Sequence, residues 1–165
     1  MSKNKNEDGK GNGKGNENGQ NYNNAIDEKI KISDQFKSKI VKLCNQVQKY
    51  EKNNINVESV LRILRLADDA NQIIEECGPY LYKYEKQIRD KNDFFLSTDQ
   101  LEDNEDYKKI KNNNKDEGKF GYQFIHICIN FYKSRSNEEK QSLYTSFNDL
   151  LNLYLKYLLI DKLNN

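Results

Sequence analysis

Residues 32–50 read ISDQFKSKIVKLCNQVQKY, and the spacing inside them decides the fold class. Ile32, Phe36, Ile40, Leu43, Val47 and Tyr50 recur at steps of four or three. Such steps line side chains along one face of an α-helix, whereas a half-buried strand repeats every second residue. Extending the pattern to both sides gives a first helix over roughly 27–52, ended by the polar run KNNIN at 52–56. Asn56 is then placed to cap a second helix over 57–77, with Val57, Val60, Leu61, Leu64, Ala67, Ala70, Ile74 and Cys77 on one stripe and Arg62, Arg65, Asp69 and Glu76 turned away.

Gly78-Pro79 punctuates the pattern, because glycine accepts the left-handed helix stop and proline suits a first helical turn. The expectation is a stop at 78 and a third helix over 79–90, with Tyr80, Tyr84 and Ile88 on its apolar face and Tyr82 opposite. Phe94, Phe95 and Leu96 follow as an apolar anchor, costly to leave in water and expected to enter the core or a partner. A fourth helix over 118–133 carries Phe120, Phe124, Ile127 and Phe131, and Ser136 with Glu139 forms a capping box for a fifth. On that last helix Leu143, Phe147, Leu150, Tyr154 and Tyr157 repeat at heptad spacing, and Leu151, Leu155, Leu158 and Leu159 widen the stripe. It reads as the centre of the bundle or as a face for a second chain.

The chain therefore predicts an all-α fold, a four- to five-helix bundle over 25–165. Residues 1–24, almost without apolar side chains, read as a disordered low-complexity tail, since they cannot offset the entropy of ordering their backbone. Residues 97–118 read as a polar loop, acidic first (Asp99, Glu102, Asp103, Glu105, Asp106) and then basic (Lys108, Lys109, Lys111, Lys115). Lysine and arginine total 27 against 26 acids, so no global field draws the chain to nucleic acid or anionic lipid. The longest apolar stretch, Leu150–Ile160, is about half a bilayer span and is interrupted by Asn152 and Lys156, which argues against membrane insertion. Cys44, Cys77 and Cys128 are odd in number and lie inside apolar helical patterns, and Met1–Gln20 has no apolar run. An intracellular, reducing compartment is the expected setting, the cytoplasm or, for a viral protein, the host cytoplasm or virion.

Candidate chemistry is sparse. His126 is the only histidine and sits between Ile125 and Ile127, the place of a core or boundary side chain rather than of a general base. GxSxG, HExxH and a GxxxxGK phosphate loop are absent. The three cysteines come singly from three helices, and His126 shares one of these with Cys128 but about 200° around it, so the thiols read as apolar fillers and not as zinc ligands. Counted as a calcium loop from Asp99, the acidic run puts Asn104 and Ile110 where glycine and glutamate are required. No catalytic, metal or cofactor-binding residue is assigned, and no carboxylate pair such as Glu75 and Glu76 stands out from a solvated helix face.

The segment GPYLYKYEKQIRDKNDFFLSTD, 78–99, resembles the signature of a family of small helical proteins encoded by large nucleocytoplasmic DNA viruses. The resemblance is carried by Pro79, Tyr80, Tyr84, Gln87, Ile88, Lys91, Phe94, Phe95 and Leu96, with the Leu/Tyr-rich end of the chain as support. It implies a viral origin and no activity. Two functional expectations stand together. One is a non-enzymatic interaction or structural component, meeting a protein partner or a second copy through Phe94, Phe95, Leu96, Tyr80 and Tyr84. The other is a nucleic-acid accessory factor contacting phosphates through Lys83, Lys86, Arg89, Lys91, Lys108, Lys109 and Lys111.

Overall fold

A computed structural model describes residues 17–52, 55–91 and 120–164, and among these every regular element is a helix. They are α1 (Glu17–Tyr50), α2 (Ile55–Leu66), α3 (Ala70–Lys83), α4 (Glu85–Arg89), α5 (Phe120–Lys133) and α6 (Asn137–Asn164). The all-α bundle expected from periodicity is the fold. Its first helix begins eight residues before position 25, inside the segment read as a tail.

The spine is an antiparallel pair of the two long helices, α1 and α6. Lys29 to Asp161 at 2.6 Å and Lys39 to Asp149 at 3.2 Å fix their register. Helix α3 lies in the groove between them, antiparallel to α6, with α2 and α5 packed over the remaining sides. Ile32, Phe36, Ile40, Leu43 and Val47 of the deciding stripe are all buried, while Tyr50 at its end is half exposed. They meet Val60, Leu64, Ile74, Phe124, Phe147, Leu150 and Leu151 in one continuous core. The heptad residues of α6 are buried to the last, and Leu155 and Leu158 pack against the core half-exposed.

Two local expectations are corrected. The helix expected over 57–77 is broken at 67–69, and the expected stop at Gly78-Pro79 is helix interior. Asp69 is extended (φ −113°, ψ 109°) and caps α3 by accepting from the Asn71 backbone N–H at 2.8 Å. On the other side of the break Lys37 Nζ donates to the Ala67 carbonyl at 3.1 Å. A cation on a terminal carbonyl is a favourable helix ending, because the last carbonyls lack partners and carry the negative end of the dipole. Gly78 has no positive φ. It is buried against α6, and a Cβ there would overlap the ring of Tyr154, so glycine is present for close approach of two helices. Pro79 removes one intrahelical bond, yet Cys77, Tyr80 and Leu81 around it are buried, and their packing carries the helix through.

The remaining boundaries follow from side chains near them. α2 begins at Ile55, which puts Asn56 inside the first turn rather than at the cap. Tyr84 (φ −107°, ψ 23°) divides the helix expected over 79–90 into the end of α3 and α4. Lys91, in the left-handed region at φ 51°, ends α4 with its N–H on the Ile88 carbonyl. The capping box of α6 forms as expected: Ser136 N–H donates to Glu139 Oε2 at 3.0 Å and Glu139 N–H to Ser136 Oγ at 3.4 Å.

Candidate functional site

The residues expected to bind a partner divide. Phe94, Phe95 and Leu96 lie outside the described residues, as do Lys108, Lys109 and Lys111. Tyr80 and Tyr84 are brought together, ring centroids 5.0 Å apart and tilted by 49°, with Tyr80 buried in the core and Tyr84 half-buried. Tyr82 on the opposite side of α3 is exposed. Of the basic residues, Lys83, Lys86, Arg89 and Lys91 are all exposed, but the Arg89 guanidinium is occupied within the fold. Its Nε meets Glu85 at 3.0 Å, and its terminal nitrogens donate to Asn148 at 3.1 Å and Asn152 at 3.3 Å. Arg89 thereby ties α4 to α6, and it is the least available of the four for phosphate.

Periodicity did not reveal a polar seam between α1, α3 and α6. Tyr157 donates its hydroxyl to Glu75 at 2.6 Å, and the Lys29 ammonium lies 4.2 Å from the centre of the Tyr157 ring while pairing with Asp161. One helical turn along α1, fully buried Ser33 donates to Asn71 Oδ1 at 2.6 Å. Burial, and then the hydrogen bond that the phenol donates to the Glu75 carboxylate, pushes Tyr157 well above its ordinary value. A phenol held in this way keeps its proton near neutrality, and its hydrogen bond ties α6 to α3. Its only signal in the sequence was polar side chains at 33, 71 and 75 on otherwise amphipathic helices, and nothing local shows that they face one another.

At the opposite end, cations stack on rings. Arg135 lies 4.3 Å over Tyr50 and 4.9 Å over Phe131, and Lys140 lies 4.7 Å over Tyr132. The Tyr50 hydroxyl, helped by Ser136, holds the Glu139 carboxyl below its usual range, and Glu139 in turn raises Tyr50. These contacts lock the α5–α6 turn onto the end of α1.

Cys44, Cys77 and Cys128 are buried, one each on α1, α3 and α5. Desolvation pushes Cys44 up to about 12 and the other two well above the ordinary thiol value. Protonated thiols are poor nucleophiles and poor metal ligands. Among the described residues no group of three or more His, Cys, Asp or Glu side chains could hold a metal ion. His126 is half-buried at the bundle boundary, its Nε2 3.1 Å from Asn130 Nδ2. No described helix is long and apolar enough to cross a membrane.

The surface is most unusual at the end of the bundle where α1 starts and α6 finishes. Tyr22, Ile26 and Ile30, four residues apart on α1, are exposed, and so are Leu159 and Leu163 on α6. The Lys29–Asp161 pair places both sets at that end. Beside Ile30 the outer face of α1 is a shallow, open surface of mixed charge, with Asp27 and Asp34 among Lys31, Lys39 and Lys42. No protein family, curated protein or solved structure matches the chain.

Proposed function

We propose that this protein is a non-enzymatic helical component that acts by contact with another protein chain. One observation carries the reading: Leu159 is 55% and Leu163 75% exposed on α6, and Tyr22, Ile26 and Ile30 are exposed on α1 at the same end of the bundle. Single exposed apolar residues are ordinary, but several gathered at one end of a small fold mark an interaction surface. The overhang of α1 supports the same reading. Residues 19–24, with Gly19 and three asparagines, expose every side chain yet remain helical, and a short stretch of such poor helix formers gains its stability from whatever packs on it. The viral family that 78–99 resembles adds an origin to this reading and no chemistry.

The test is site-specific photo-crosslinking from position 159 or 163 in an extract of the source cells. A protein adduct, to this chain or another, is the expected result. Crosslinks to nucleic acid alone, or none at either position while a control crosslinker on the chain reacts, would end the reading.

A further inference from the structure

Independently of the exposed end of the bundle, we infer that the break between α2 and α3 is a hinge through which two copies of the chain exchange their α1–α2 halves, giving a dimer in which α2 and α3 run on as one helix. The sequence from Ile55 to Cys77 holds no glycine or proline, and its apolar stripe keeps helical spacing straight across 67–69. In a continuous helix the Asn71 N–H would donate to the Ala67 carbonyl four residues back. In the folded chain a side chain holds each of those two groups instead. The carbonyl accepts from Lys37 Nζ at 3.1 Å, and the N–H donates to Asp69 Oδ1 at 2.8 Å. The break is thus kept by two caps, one of them from another helix, and not by residues that refuse a helix.

The packing divides at the same place. α2 lies mainly on α1 and α5, and hardly on α3, its neighbour in sequence. Straightening the hinge within one chain would pull α2 off α5 and bring buried Val57, Val60, Leu61 and Leu64 into water. A second copy carries the surfaces that refill those contacts. The packing of α1 on α6, α1 on α3 and α2 on α5 then forms between chains instead of within one, with the same core side chains buried. Only the hinge differs, and reciprocal exchange about a two-fold axis closes the assembly as a dimer. Leu66 fits the same account. It is 73% exposed at the end of α2, and in the continuous helix it shares one face with Ile63, Ala70 and Ile73, at steps of three, four and seven.

The test brings an equal mixture of isotope-labelled and unlabelled full chain, at about 200 μM, to its urea midpoint and returns it to native buffer, because the halves must part to exchange and mass action favours the dimer. Sedimentation velocity should then show a dimer beside the monomer. Carbodiimide coupling reads which chain each half belongs to, since Lys29 meets Asp161 and Lys39 meets Asp149 across the two halves. In the exchanged dimer, mass spectrometry should find these links joining labelled to unlabelled chains, whereas in a monomer or a surface dimer they stay within one chain. Lys37→Met and Asp69→Ala each remove a group that holds the break and has no counterpart in the continuous helix. Counted once per chain, each should raise the dimerisation constant about tenfold or more. A wild type that returns only as monomer, links confined to single chains, or variants that leave the dimerisation constant unchanged would each overturn the inference.

Discussion

Replacing Gly78 by alanine tests whether glycine is there for packing or for backbone freedom. In a solvated helix the change would stabilise by about 1 kcal/mol, because alanine has the higher helix propensity. Here the added methyl overlaps Cγ, Cδ2 and Cε2 of Tyr154, a ring only 8% exposed and held on the spine helix α6. Forcing a methyl into a filled contact costs about 1–3 kcal/mol, and a clash with three ring atoms belongs at the upper end. The expected net loss is about 2 kcal/mol, a fall in Tm of roughly 4–8 °C for a domain of this size, read by urea and thermal unfolding followed by circular dichroism. A left-handed glycine would also make alanine costly, but that cost would be indifferent to position 154. The deciding measurement is therefore the double-mutant cycle with Tyr154→Leu, which should recover about 1 kcal/mol or more of the loss. A neutral or stabilising Gly78→Ala, or a cycle with no coupling, would refute the packing argument.

Two further outcomes follow from the polar seam and the buried thiols. Tyr157→Phe keeps the ring that Lys29 covers and removes the donor to Glu75, an exposed carboxylate that water can reach, so it should cost about 0.5–1.5 kcal/mol in chemical denaturation; no loss would mean that water replaces the hydroxyl freely. Cys44, raised from 9.0 to about 12 by burial, binds its proton more tightly folded than unfolded, so its contribution is complete below pH 9 and is withdrawn between 9 and 12, at up to about 1.4 kcal/mol per pH unit. Thermal stability should accordingly fall above pH 9, more gently in Cys44→Ala than in the wild type; equal slopes would show that the thiol stays solvated. Filter binding of single-stranded or duplex DNA near 50 mM salt should show no retention; retention lost on Lys83→Glu and Lys86→Glu would favour the nucleic-acid reading instead.

The amino-acid pattern alone determined most of the residues that face inward, though Tyr50 and Leu159 of the expected stripes are exposed. The stripe from Ile32 to Val47, the heptad residues of α6 and the Ser136–Glu139 cap were all legible, because a helical face repeats every three to four residues and a capping box spans four. Where helices break, and which polar groups meet, was decided by tertiary structure. Lys37 reaches the Ala67 carbonyl from 30 residues away, Ser33 meets Asn71 across two helices, and the Tyr154 ring fills the space that Gly78 leaves. Glycine and proline signal a stop only while the backbone answers to its own preferences, each worth about 1–3 kcal/mol. Around 78–79 the burial of Cys77, Tyr80 and Leu81 outweighs those preferences, so the helix continues there and breaks instead at Asp69, where a side chain from another helix stands ready to hold its end.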